Sequence, residues 1–185
     1  MYKRQVNNPL VLENGRYRMD FEHMRKAVRG CGMFILCNPH NPGGRVWNPE
    51  ELEQVAEICA ESGTLVISDE IHADLTLPGR RHTVFATVSE KARNNSVTYM
   101  AASKAFNVPG LASSYLICQN PALLEKYQNF VNGREMAEGH VFAYAGLISA
   151  YTEPGGEEWL RQALDYIQEN ICYLDAELRR RMPRI

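Results

Sequence analysis

An α/β fold built on a mostly parallel sheet flanked by helices is what the sequence predicts, and three observations predict it. Short apolar runs of strand length stand at Phe34 to Cys37, Leu65 to Ile67 and Ser96 to Met100. The continuous apolarity of Phe34 to Cys37 suits a strand of a parallel sheet whose two faces are covered by helices. Between the first two runs lies an amphipathic helix with a start and a stop, which completes a βαβ unit with an expected right-handed crossover. Each run opens into a polar segment, and in such sheets ligands gather outside the carboxyl ends of the strands.

The elements follow in order. Asn14-Gly15 between Val11 and Met19 predicts a hairpin, because this pair accepts the positive φ angles of a two-residue turn. Asp20 is suited to cap a helix whose residues Phe21, Met24 and Val28 share a face. In the central helix, Asn48 is the N-cap, Pro49 the first helical residue and Glu51 the capping-box partner. Leu52, Val55, Ala56 and Cys59 form its apolar stripe, and Gly63 closes it. A further buried strand is expected over Leu111 to Ile117, then a helix opened by Pro121. Residues 133–140 read as a break containing Arg134 and His140, in a solvated loop or within reach of a partner or cofactor. An apolar helix over Val141 to Tyr151 and a punctuation at Glu153 to Gly156 come next. Leu160, Leu164, Ile167, Ile171, Leu174, Leu178 and Met182 then mark a long amphipathic helix whose stripe is core or interface.

Composition narrows the class. The 185 residues are 45% hydrophobic and 23% charged, ordinary for one globular domain with a core of its own. A net charge of −2 gives no footprint for nucleic acid or an anionic membrane. No apolar run approaches a membrane span, and the first residues lack the apolar core of a secretory signal. A cytoplasmic protein is expected. The five cysteines are scattered and odd in number, which suits reduced, mostly buried thiols rather than disulfides.

Chemistry concentrates in three places. Lys104 lies among Ala, Ser and Phe residues between two apolar runs, so it is expected near the interior, where desolvation favours a reactive amine. A solvent-facing lysine in a connection is the plain alternative. Asp69 and Asn41 emerge past neighbouring strand ends and converge on one crevice. Turn chemistry alone also accounts for the Pro/Gly-rich loop that holds Asn41. His72 and Asp74, with His40 and His82, invite a metal reading, but the spacing is loose and no cysteine joins them, so no metal is assigned.

Taken together, Cys37 to Gly44, Ser68 to Asp74 and Ser103-Lys104 resemble the fold-type I enzymes dependent on pyridoxal 5'-phosphate (PLP). That is the aspartate aminotransferase-like superfamily, which includes the class I/II aminotransferases. The resemblance implies PLP as cofactor, with Asn41 bonding its phenolic oxygen, Asp69 its pyridine nitrogen and Lys104 carrying the Schiff base. Where the wider superfamily has a Tyr three residues after the Asp, this chain has His72, which is similar to the cystathionine β-lyase subgroup of MalY/PatB type. Ala112 stands where many aminotransferases place a phosphate-binding Arg, and Ala101 where a phosphate-binding Ser is usual. Ser103 remains as a phosphate or loop hydroxyl, or bonds its local backbone.

The resemblance implies a three-layer α/β/α architecture in which residues 1–185 are the central part of the PLP-binding large domain. An N-terminal segment and the C-terminal small domain of the family are expected to be absent. It further implies a C–S β-lyase acting on sulfur amino acids by α,β-elimination, as a homodimer in the full-length enzyme. Two alternatives stay open: a class I/II aminotransferase, and a partial chain without catalysis of its own.

Overall fold

The computed structural model describes residues 4–136, 139 and 141–183. The chain opens with a hairpin of β1 (Leu10–Glu13) and β2 (Arg16–Met19), turned by Asn14 and Gly15 at φ 50° and 73°. Helix α1 (Phe21–Ala27) follows, its first turn capped by Asp20, whose carboxylate accepts the His23 N–H at 2.8 Å.

Next come β3 (Met33–Cys37), α2 (Pro49–Glu61), β4 (Leu65–Asp69), the one-turn helix α3 (Glu90–Asn94) and β5 (Ser96–Met100). In α2 the expected capping box forms, with Glu51 N–H donating to Asn48 Oδ1 and Asn48 N–H to Glu51 Oε2. A single turn, α4 (Ala102–Ala105), carries the chain to β6 (Tyr115–Ile117). Three helices end the chain: α5 (Pro121–Asn132), α6 (Ala143–Thr152) and α7 (Pro154–Arg181).

The main sheet runs β3-β4-β5-β6, the first three strands parallel and the last antiparallel. Cys37, Asp69 and Tyr99 lie side by side in register, so β3, β4 and β5 end along one edge. The mostly parallel α/β architecture expected from the sequence is therefore present.

One face of this sheet is closed. Leu36 and Val66 pack under Met24, Leu52, Val55, Cys59, Phe85 and Ala92, all of them buried. The opposite face is open at its β3 end, where Met33 and Ile35 are 60% and 70% exposed. Strand alternation sends these residues to the side where α1 and α2 do not lie.

One expectation changes. Only Tyr115–Ile117 of the stretch from Leu111 is strand, and it is half-exposed, because Pro109–Leu111 form a 3-10 turn and Ala112 takes a left-handed φ of 46°. The punctuation expected at 153–156 falls on Glu153, whose extended backbone (φ −85°, ψ 139°) ends α6 and precedes α7. Pro154 opens α7, where a missing N–H costs nothing, and Gly155 and Gly156 are drawn into its first turn. The α7 stripe is not core: Ile167, Ile171, Leu174 and Leu178 are exposed. Arg134 lies over the Phe130 ring at 3.9 Å, whereas His140 falls outside the described residues. All five cysteines are free thiols. Among the described residues, no helix is long and apolar enough to cross a membrane.

Candidate active site

Everything the sequence marked as chemical leaves the carboxyl edge of β3, β4 and β5. From β3 the chain passes through Asn38, which is buried and joins two neighbours: its N–H donates to the Asp69 carbonyl at 2.9 Å, its Nδ2 to the Thr83 carbonyl at 3.0 Å. The loop then closes on itself. His40 N–H donates to the Arg45 carbonyl and Gly44 N–H to the His40 carbonyl. Gly43 N–H donates to His40 Nδ1 at 3.2 Å, and a Cβ at Gly43 would sit 2.5 Å from that nitrogen, so glycine is required by the approach. Burial lowers the pKa of His40 below its ordinary value, in keeping with a ring nitrogen that accepts. Trp47 anchors the loop's far end, its Nε1–H donating to the Cys37 carbonyl at 2.9 Å. Asn41 projects from this frame and is exposed, with its N–H facing Cys37 Sγ at 3.4 Å.

Asp69 is the last residue of β4 and is half-buried, its Oδ1 accepting the Ile71 N–H at 3.3 Å. His72 follows at the start of a 3-10 turn, Ala73–Leu75. Asn41 and His72 line one cleft of about 550 Å³, together with Tyr17 of the hairpin, Pro39 and Arg80. Asp69, Ser103 and Lys104 do not line it.

Lys104 takes the solvent-facing alternative rather than the interior one. The residues around it are inside, Ala101, Ala102 and Ala105 all being buried, but the lysine itself is exposed. In a single turn of helix, 102 and 105 share the inward face and 104 points away from it. Ser103, half-buried beside it, gives its carbonyl to the Val108 N–H at 3.1 Å. Ala101 stands at the N-cap of α4 with no side-chain bond to offer.

The residues grouped for a metal separate. His82 Nε2 lies 2.6 Å from Glu70 Oε2, and Asp74 Oδ2 accepts the Tyr151 hydroxyl at 2.7 Å. Among the described residues no three His, Cys, Asp or Glu side chains gather as a metal site.

Two features escaped the sequence reading. Glu70 is 1% exposed and fully engaged, a buried carboxylate that the alternation Val66, Ser68, Glu70 could have marked as inward. Tyr151 meets Phe106 edge-on at 5.2 Å and Tyr115 at 6.3 Å, tying α6 to the segment after Lys104. Burial and the Asp74 bond push its hydroxyl pKa up.

A mostly parallel sheet that presents carboxylate, amide, imidazole and primary amine groups along one edge defines a class, the open-sheet α/β proteins whose ligands sit at the strand ends. Residues 7–184 match the family "Aminotransferase class I and II", and the chain belongs to that family. It is 37% identical over 182 residues to the cystathionine beta-lyase PatB of Bacillus subtilis (strain 168), across 97% of this chain and 46% of PatB. The PLP-bound C–S lyase from Staphylococcus hominis matches its structure with a TM-score of 0.86 at 35% identity, over 96% of this chain and 44% of that one. Cystalysin from Treponema denticola, whose crystal structure contains pyridoxal 5'-phosphate, gives 0.85 at 32% identity, over 94% and 44%. The chain thus spans somewhat less than half the length of the relatives it matches.

Proposed function

We propose that this chain carries the cofactor-binding centre of a PLP-dependent C–S β-lyase that splits sulfur amino acids by α,β-elimination. The observation that carries the reading is the donor set at one sheet edge: Asn41 and His72 share a cleft, and Asp69 and Lys104 leave the two adjacent strand ends. Its chemistry fits PLP. A carboxylate suits a protonated pyridine nitrogen, an amide and an imidazole suit a phenolic oxygen, and a primary amine suits an aldehyde. When bound, PLP supplies a conjugated ring that takes up the charge left at the substrate Cα.

The chain's own residues then have separate tasks. Asp69 holds the proton on the ring nitrogen. Asn41 and His72 orient the ring by its oxygen, His72 in the place that the wider superfamily gives to Tyr. Lys104 Nζ would hold the cofactor by its aldehyde carbon and would be the base for the substrate Cα proton, a role worth about 10²–10⁴ in rate. Ser103 serves the phosphate. The remaining phosphate contacts and the partner of the substrate carboxylate come from other residues of the enzyme, which acts as a homodimer.

Transamination is the second reading, favoured by the family to which the chain belongs. A third, a segment without catalysis of its own, is favoured by the exposure of Lys104 and of the sheet face at Met33 and Ile35.

The test is an absorbance spectrum of the purified chain with added PLP, before and after borohydride, beside Lys104→Ala. A visible band trapped at Lys104 and missing in the variant is expected, followed by pyruvate release from cystathionine. A keto acid formed only with an amino-group acceptor would favour the aminotransferase. No Lys104-dependent band would leave the silent segment as the reading.

A further inference from the structure

We infer that Glu70 is the positioning residue of this site, fixing Asp69 and His72 from behind with His82 as its partner. The inference rests on the function proposed above. Glu70 is enclosed, yet it is a carboxylate, and a buried charge persists only where donors surround it. Three donors do so. Oε1 accepts from Ser68 Oγ at 2.8 Å and from Phe85 N–H at 3.0 Å, and Oε2 faces His82 Nε2 at 2.6 Å. A carboxylate only accepts, so Nε2 carries the hydrogen.

The backbone of the same residue is tied as firmly. Its N–H donates to the Tyr99 carbonyl at 2.9 Å, across to β5, and its carbonyl accepts the Ala73 N–H at 2.9 Å, on the turn that begins at His72. Glu70 therefore joins four pieces: the end of β4, the end of β5, the His72 turn and the 82–85 segment. Asp69 is its immediate neighbour, and the side-chain bond holding the Asp69 carboxylate is long, 3.3 Å from Ile71 N–H. The direction of that carboxylate is thus set mainly by the backbone Glu70 clamps.

His82 completes the device. Its Nδ1 is buried with no hydrogen-bond partner among the described residues, so the ring is free to exchange tautomers when its neighbour becomes a donor. Glu70→Gln is for this reason the conservative change: Oε1 keeps Ser68 and Phe85, and the new amide donates to a retautomerised His82. Glu70→Ala strands all three donors.

The experiment follows the Ile71 amide resonance, which reports the Asp69 bond, and the dissociation constant for PLP, well below the melting temperature. Glu70→Ala is expected to move the Ile71 amide and weaken PLP by about tenfold or more, and Glu70→Gln to return both to within about threefold of the wild type. His82→Ala, which removes one of the three donors, is expected to move both in the same direction by less, and it carries the test if Glu70→Ala does not fold. A loss of stability alone, with the Ile71 amide and PLP affinity unmoved in a folded variant, overturns the inference, and so does a Glu70→Gln protein as impaired as Glu70→Ala. If the wild-type chain forms no Lys104-dependent band, the proposed function fails, and the Ile71 amide still decides whether Glu70 positions Asp69.

Discussion

The helices α2 and α7 are written in the same code and live in different surroundings. Both carry apolar residues at spacings of three and four, and both start on a proline. In α2 the stripe of Leu52, Val55, Ala56 and Cys59 is sealed against the sheet. In α7 no described residue is buried, and Ile171 and Leu174 are 45% and 56% exposed. What α7 has instead is a ladder of ion pairs along its own surface, such as Arg161 with Glu158 and Asp165, and Arg179 with Asp175. The two faces of β3 repeat the lesson, Leu36 being buried and its neighbour Ile35 exposed. Amphipathicity marks a surface suited to burial; the partner that buries it is a separate matter.

Thiol labelling should expose the contrast most sharply. Burial pushes the Cys59 thiol up to about 12, so little thiolate is present, whereas Cys172 on α7 is exposed. Cys172 should react with a disulfide reagent faster than Cys59 by on the order of a hundredfold or more. Comparable rates would mean that the α2 region opens as readily as α7.

In urea unfolding, Leu52→Ala should cost about 2–5 kcal/mol, through lost burial and the cavity left behind. A cost below about 1 kcal/mol would show that the α2 side is loosely packed. Asn48→Ala removes the acceptor for Glu51 N–H and should cost about 1 kcal/mol, measured the same way.

Acid should act on the α2 side too. His40 is held below its ordinary value of 6.5 by burial, so on lowering the pH the unfolded chain takes up a proton first. The stability tied to neutral His40 is complete above about 6.5 and falls as the pH drops from there toward the folded value. The urea midpoint should therefore decline from about pH 7.5 to 5.5, and decline less in His40→Gln. Equal declines would remove His40 from the account.

The smallest effect is expected on α7. Ile171→Ala should change the unfolding free energy by less than about 0.5 kcal/mol, because little burial is lost and Ala is the better helix former. A cost approaching that of Leu52→Ala would show that α7 is covered in solution, and the comparison would fall.

By itself the sequence determined what depends on neighbours along the chain. Asn14-Gly15 forces the hairpin, and Asp20 and Asn48 start their helices. Each of these needs only a few adjacent residues, whose conformational limits are local. Tertiary structure alone decided the rest. Lys104 points outward because one turn of helix must bury Ala102 and Ala105. His82 belongs to Glu70, twelve residues away, rather than to a metal site with His72. Ile35 stays bare while Leu36, the next residue, is enclosed. The reason is the same in each case: burial and pairing are properties of surfaces that meet in space, and no local spacing states which surfaces meet.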